Sequence, residues 1–151
     1  MSTAPPVTLE TTLRVRDTCL CLHAQRAARA LARRFDEVFR PLGITSGQFS
    51  IMMSLNRPGP TPMRPVFTLL SMDRTTLTAA LKPLRARGLV EVAADPADRR
   101  SRLLTLTPEG RSLLAEAVPV WEAAHAGLDD LLGGPGSDRL RSDLKILSKP
   151  A

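Results

Sequence analysis

The hydrophobic pattern of the chain changes its period at Gly88, and this change most restricts the possible folds. Before Gly88, apolar residues recur every three or four positions, which is the spacing of helices. After it, short apolar segments at 89–93 and 102–106 flank the polar, turn-rich sequence DPADRRS, a pattern that predicts a β-hairpin. A helical pattern resumes at Thr107. The sequence therefore predicts a mainly α fold with one small β-hairpin.

Capping and breaking residues divide the helical part of the chain. Pro41 and Gly43 end a long amphipathic segment, and Thr45 followed by Gln48 is the sequence of a capping box. Two short helices joined by a tight turn predict a helix-turn-helix before the hairpin. The predicted helices are 13–40, 46–56, 63–70, one from Ser71 or Asp73 to Arg87, one after Thr107, and one from Ser137 to Leu147.

Basic residues are concentrated in the middle of the chain. Between residues 38 and 102, ten Lys or Arg stand against four acids, a surplus that equals the net charge of +6 of the whole chain. Affinity for a polyanion comes chiefly from neutralising phosphates, so a basic centre between neutral flanks favours nucleic acid as a partner. A solvated cationic face is the alternative that charge alone leaves open.

Other classes of protein are disfavoured by the sequence. It contains no signal-peptide pattern and no run of about 18 apolar residues, so we expect a cytoplasmic protein without a membrane partner. Cys19 and Cys21 are the two cysteines and cannot supply a zinc site, so no metal or cofactor is expected. No nucleophile with a spaced His and acid and no Gly-rich phosphate loop appears, so we expect no enzyme.

Three strings resemble the MarR family of winged-helix regulators, over about residues 18–147. MDRTTLTAALKPLRARGLVE at 72–91 resembles the family's recognition helix, and GITSGQFSIM at 43–52 its second-helix start. DPADRRSRLLTLTPEG at 95–110 resembles the family's D-x-R and L-T-x-x-G, at Asp98, Arg100, Leu106, Thr107 and Gly110. The resemblance implies a winged helix-turn-helix with N- and C-terminal dimerisation helices, acting as a transcriptional regulator.

The first turns of a recognition helix face base edges in the major groove. We therefore expect DNA contacts from Arg74, Thr75, Thr76 and Thr78. Arg74 can bond a guanine through two hydrogen bonds, and the threonines can offer hydroxyls to phosphates or methyls to thymine. The structural alternative is that Thr residues at a helix start only cap the helix.

The tip of the hairpin is the second expected contact with DNA. Arg100 is placed to enter the narrow minor groove, and the resemblance implies that Asp98 holds it in position. Arg99 and Arg102 are expected to touch phosphates. Without the resemblance, a DPxD sequence is often only a turn.

The expected organisation is a flexible arm at 1–12 and a single domain at 13–151. Within it, 13–40 and 107–148 form dimerisation helices, and 44–106 form the DNA-binding lobe. Such a homodimer would read a pseudo-palindromic operator with half-sites about 34 Å apart. Two residues depart from the family pattern: Pro65 in the third helix, and Ser71, where the family commonly has a glycine. An interaction module without DNA binding therefore remains an alternative.

The resemblance also implies a repressor relieved by a small aromatic or phenolic effector. His23, Trp121 and His125 are the residues that could line its pocket, although lone residues of these types are more often core or surface. The resemblance also offers a second possibility, a regulator that responds to peroxide through Cys21, which stands where peroxide-sensing members of the family carry their reactive cysteine. A nearby Arg could favour its thiolate, the form that peroxides oxidise. Buried, unreactive thiols are the structural alternative.

Overall fold

The computed structural model describes residues 4–149. The chain falls into two compact units, Met1–Arg34 and Phe35–Ala151, and each is described by itself. A single domain over 13–151 stays a prediction.

The N-terminal unit is helical. Helix α1 (Leu9–Thr18) begins after Thr8, whose hydroxyl accepts a hydrogen bond from the Thr11 N–H at 3.2 Å. Because this cap starts the helix at Leu9, the flexible arm expected at 1–12 is wrong for its last four residues, and residues 1–3 lie outside the described part. Helix α2 (Leu20–Phe39) follows after extended backbone at Cys19, so the single helix expected at 13–40 is interrupted there.

The second unit carries the expected helix-turn-helix and hairpin. After a 3-10 helix (Arg40–Leu42) come α3 (Ser46–Ser54), β1 (Thr61–Pro62), α4 (Met63–Leu69), α5 (Arg74–Ala86), β2 (Val90–Ala94), β3 (Arg102–Leu106), α6 (Pro108–Leu132) and α7 (Gly136–Leu147). The predicted fold class, mainly α with a small hairpin, is confirmed. Strand β1 was not predicted.

The predicted start and stop signals act as expected. Thr45 and Gln48 form a reciprocal capping box at the start of α3, with N–H to side-chain oxygen distances of 3.0 and 3.2 Å. Gly88 adopts φ 69°, a left-handed conformation that suits glycine and ends α5. These local signals fix the start of α3 and the end of α5, just before the hairpin.

The sheet is antiparallel, with strand order β1-β3-β2. Val90 pairs with Leu106 at one end of the hairpin, and Ala94 pairs with Arg102 at the other. Thr61 and Pro62 pair with Leu104 and Leu103 on the outer side of β3. The hairpin is thereby tied to the segment that leads into α4.

A single apolar core holds these elements together. Phe39 and Phe49 stack with ring centroids 4.7 Å apart. The largest fully buried side chains are Phe39, Ile51, Met52, Leu55, Val66, Leu77, Leu84 and Leu104. Since they come from α2, α3, α4, α5 and β3, the core fixes α5 and the hairpin on one scaffold.

The L-T-x-x-G sequence forms a close junction between the hairpin and α6. The Thr107 hydroxyl donates to the Gly88 carbonyl at 2.7 Å and accepts from the Gly110 N–H at 3.0 Å. Gly110 lies so close to the backbone that a Cβ there would stand 2.3 Å from the Leu89 carbonyl oxygen. The motif therefore has a packing role in this structure.

Candidate nucleic-acid interface

Helix α5 begins with a charged cap. The Asp73 carboxylate accepts the Thr76 N–H at 2.7 Å. This backbone hydrogen bond, helped by the Thr76 hydroxyl and the Thr75 N–H, lowers the pKa of Asp73 below its ordinary value. Asp73 thus acts as a structural anion at the helix start, where the helix dipole also favours negative charge.

The face of α5 opposite the core is exposed. Leu77, Leu81 and Leu84 are buried, whereas the four predicted contact residues, Arg74, Thr75, Thr76 and Thr78, are exposed. The Thr78 hydroxyl donates to the Arg74 carbonyl at 2.8 Å, so it can only accept a hydrogen bond from a partner. The structure therefore places the predicted residues together on one accessible surface.

The hairpin β2–β3 and its tip, residues 95–101, are called the wing. At the tip, the Asp95 carboxylate accepts from the Ala97 N–H at 2.9 Å, and the Asp98 carboxylate accepts from the Arg100 N–H at 3.0 Å. Asp98 thus contacts Arg100 through the backbone N–H. No ion pair between these two side chains occurs in residues 4–149. Asp98 consequently shapes the turn and leaves the guanidinium of Arg100 uncommitted.

Helix α5 and the wing are in direct contact. Nη2 of Arg74 donates to the Arg100 carbonyl at 2.7 Å. Arg102 turns back on the wing, where its Nη1 lies 3.3 Å from the carbonyl oxygens of Arg99 and of Ser101. The exposed Arg99 makes no side-chain contact of this kind within the described chain.

Between α5 and the wing lies a groove of about 210 Å³, called the basic groove. Its lining includes three arginines and no acidic residue, so it favours an anion such as a phosphate. The sequence analysis missed Arg85, although it follows Arg74 by eleven residues, or about three helical turns. The lining residues are Met63, Arg74, Thr78, Leu81, Arg85, Val92 and Arg102.

Part of the basic surplus has a structural use elsewhere. The Arg87 guanidinium donates to the carbonyls of Gly43 and Leu42. Outside residues 38–102, Arg111 on α6 is used in a similar way and donates to the Asn56 side chain at 3.1 Å and to the Arg57 carbonyl at 3.0 Å. The net charge of residues 38–102 therefore overstates the number of arginines there that are free to bind a polyanion.

A second opening, called the apolar cleft, has a volume of about 400 Å³. Trp121 lines it and stacks on Phe49 with ring centroids 6.4 Å apart. Arg57 is the one charged residue in its lining, which otherwise is mostly apolar. The lining residues are Phe49, Ser50, Met53, Ser54, Arg57, Leu69, Val118 and Trp121.

The other two predicted pocket residues lie elsewhere. The His125 ring has its centroid 4.9 Å from that of Trp121, but His125 lines an adjoining open surface, on the other side of Trp121 from the cleft residues, with Asp129 and Arg141. His23 lies on α2 in the N-terminal unit, where it lines a shallow groove. Of the three, only Trp121 belongs to the apolar cleft.

The two cysteines have different environments. Cys21 is exposed, and its sulfur accepts from the Gln25 amide at 3.1 Å, whereas Cys19 is half-buried. The alternative of buried thiols is therefore wrong for Cys21. Within residues 4–149 no group of three or more His, Cys, Asp and Glu could hold a metal ion, and no helix there is long and apolar enough to cross a membrane.

A helix-turn-helix followed at once by an antiparallel hairpin that contacts its second helix defines a winged helix-turn-helix protein. The model of the MarR family matches residues 44–101. The structure is similar to the transcriptional regulator MosR of M. tuberculosis in complex with DNA, with 35% identity and a TM-score of 0.78, covering 86% of this chain and 93% of that one. The chain belongs to the MarR family, whose members are DNA-binding regulators and not enzymes.

Two further relatives extend the comparison. The structure of BpsR of Bordetella bronchiseptica, described for regulation of its DNA binding by 6-hydroxynicotinic acid, shares 26% identity at a TM-score of 0.79, covering 97% of this chain and all of BpsR. The repressor NicR of Pseudomonas putida is 33% identical over 76 residues, or 50% of this chain. That match spans about half of NicR, 48% of its length.

Proposed function

We propose that this chain is a cytoplasmic, dimeric transcriptional repressor that binds a pseudo-palindromic DNA operator. The observation that carries the proposal is the contact between α5 and the wing, which presents exposed threonines and arginines beside a groove that no acidic residue lines. Such a surface matches the alternating phosphates and base edges of duplex DNA. The likeness to MosR, whose structure contains DNA, supports the same partner.

The two parts of this surface have different roles. The first turns of α5, with Arg74, Thr75, Thr76 and Thr78, enter the major groove. The free guanidinium of Arg100 enters the minor groove, while Arg99 and Arg102 contact phosphates. Asp98 contributes by holding the Arg100 backbone.

Dimerisation through the terminal helices is favoured by apolar side chains that the chain itself leaves exposed. On the last turn of α7, Ile146 is 64% and Leu147 61% exposed, and Leu9 on α1 is 72% exposed. Exposed apolar residues grouped on helices mark contact surfaces for another chain. Sedimentation equilibrium should give the mass of two chains, and a monomer at micromolar concentration would contradict this part of the proposal.

We infer that the apolar cleft binds the effector, a small aromatic acid or phenol. Its rings and methionine suit an aromatic ring, and Arg57 supplies one cation for a carboxylate or phenolate. BpsR, whose DNA binding 6-hydroxynicotinic acid regulates, supports a ligand of this class. An effector can weaken DNA binding only if it prefers the conformation that binds DNA poorly.

DNA binding is tested by selection from a random duplex library, followed by fluorescence anisotropy on the enriched sequence. We expect affinity to fall steeply with salt and the Arg100→Ala variant to bind more weakly. A chain that enriches no sequence, or whose binding does not depend on salt, contradicts the proposed function.

The effector site is tested by thermal shift with 6-hydroxynicotinate and benzoate. Either ligand should raise the melting temperature of the wild type and lower its affinity for the selected duplex. Arg57→Met should abolish both effects, whereas the control Arg64→Met, outside the cleft, should retain them. If the ligands changed the melting temperature and the DNA affinity of both variants equally, Arg57 would not be part of the effector site.

A thiol-responsive form of the same regulator is the second candidate, favoured by the exposure of Cys21. Peroxide treatment should then add oxygen mass to the wild type and weaken DNA binding, and Cys21→Ser should show neither change. Unmodified Cys21 after treatment contradicts this candidate.

A further inference from the structure

Arg74 is the side chain through which the recognition helix contacts the tip of the wing. Its Nη2 lies 2.7 Å from the carbonyl oxygen of Arg100, a residue 26 positions away. Within residues 4–149, no other side-chain hydrogen bond joins α5 to residues 95–101. Since α5 is anchored in the core by Leu77, Leu81 and Leu84, this bond ties a loop tip to a fixed element.

Arg100 is held on both sides of its backbone. Its N–H donates to the Asp98 carboxylate at 3.0 Å, and its carbonyl accepts from Arg74. The hydrogen bond that Asp98 accepts lies within the turn, so it shapes the tip but does not position it against the rest of the molecule. Arg74 supplies that second constraint, and a hydrogen bond from a charged donor is a strong one.

We infer that Arg74 is a positioning residue for the wing: it sets where the Arg100 side chain meets DNA, in addition to any contact that Arg74 makes itself. This inference rests on the proposed function. It implies that the major-groove and minor-groove contacts are coupled through one hydrogen bond. If the two contacts were independent, the double variant would lose affinity by the product of the two single-variant factors.

Arg85 provides a matched control. It lines the same basic groove and is exposed on the same helix, yet its side chain makes no hydrogen bond to the wing. Replacing Arg85 removes a positive charge from the groove without releasing Arg100. Differences between Arg74 and Arg85 variants therefore report the hydrogen bond and not the charge.

The first measurement is amide hydrogen exchange of the free protein, which needs no DNA. In Arg74→Ala, the amides of Arg100 and Ser101 should exchange about tenfold faster than in the wild type, because the side-chain hydrogen bond that ties this part of the tip to α5 is gone. Arg85→Ala should exchange at the wild-type rate. Unchanged exchange in Arg74→Ala overturns the inference.

The second measurement is a double-mutant cycle on the selected duplex, by fluorescence anisotropy. If Arg74 acts through Arg100, Arg74→Ala/Arg100→Ala should lose no more affinity than about the larger single loss. For Arg85→Ala/Arg100→Ala, the factor by which affinity falls should equal the product of the factors for the two single variants. Arg74→Gln, which keeps much of the side-chain stem, repeats the test should Arg74→Ala melt at a lower temperature.

The outcomes separate the two proposals. Suppose that the wild type binds DNA and that the affinity loss of Arg74→Ala/Arg100→Ala equals the product of the two single losses. That result overturns the positioning role and leaves the proposed function standing. A wild type that binds no selected duplex overturns the proposed function and the inference together. Minor-groove footprints that broaden in Arg74→Ala and stay sharp in Arg85→Ala support the positioning role.

Discussion

Gly110 and Leu89 approach each other so closely that a Cβ on Gly110 would stand 2.3 Å from the Leu89 carbonyl oxygen. A methyl group there must push backbone away from backbone, so Gly110→Ala should lower the free energy of unfolding by about 1–3 kcal/mol. Chemical denaturation measures the change. Gly127→Ala, also within α6 but with nothing beyond the neighbouring helix backbone within 4 Å of the added Cβ, should instead stabilise by about 0.5–1 kcal/mol. Equal effects of the two substitutions would contradict the close contact.

Ser71 has φ 52° and is the one non-glycine residue with a positive φ in the described chain. It follows α4 at the position where glycine commonly ends a helix. Ser71→Gly should therefore raise the free energy of unfolding by up to about 1 kcal/mol, because it relieves backbone strain. Ser112→Gly, within α6, should have the opposite sign. A destabilised Ser71→Gly protein would mean that this backbone is not strained.

The cap of the recognition helix should make stability depend on pH. Hydrogen bonds from Thr76 and Thr75 lower the pKa of Asp73 in the folded protein, so its ionised form stabilises the fold above the ordinary value of 3.8. That contribution is lost as the pH falls below 3.8 and through the lowered folded value. We expect the difference in melting temperature between wild type and Asp73→Ala to be largest at neutral pH and to shrink in acid.

Asp73→Asn is the control for this titration, because Asn also caps helices but does not ionise. Its difference from Asp73→Ala should stay nearly constant over the same pH range. If the difference in melting temperature between wild type and Asp73→Ala were equally constant with pH, the charge of Asp73 would contribute nothing to stability.

The two neighbouring arginines at the wing tip should differ in their effect on DNA binding. Arg99→Ala should weaken binding to all duplexes alike and reduce the slope of log K against log salt by about 1, as expected for a lost phosphate contact. Arg100→Ala should in addition relax the preference for A·T pairs beneath the wing. Binding titrations at four salt concentrations on two duplexes measure both effects. Identical behaviour of the two variants would contradict the assigned roles.

Local signals explain why much of the architecture could be predicted. Thr45 with Gln48, Thr107 with Pro108, and the glycine at 88 act on their immediate neighbours, so each helix boundary near them was readable from the chain. The break at Cys19 could not be predicted, because neither Gly nor Pro stands there and the surrounding apolar spacing suits a continuous helix.

Long-range contacts explain what could not be predicted at the site. Strand β1 has two residues and exists only through its pairing with β3, which is more than forty positions away. The resemblance predicts that Asp98 holds Arg100, but a sequence does not distinguish a contact with the backbone from one with the side chain. The hydrogen bond from Arg74 to the wing depends on how α5 and the hairpin pack, and no short pattern encodes it.

The position of Pro62 in the sheet bears on how the protein stays dispersed in solution. Strand β3 carries the apolar Leu103, Leu104 and Leu106, and it is flanked on both sides by β2 and β1. On the outer strand β1, Pro62 has no N–H to offer to a further strand. At Leu103 and Leu104, β3 is therefore not an edge of the sheet, and another molecule cannot pair with it there to start aggregation.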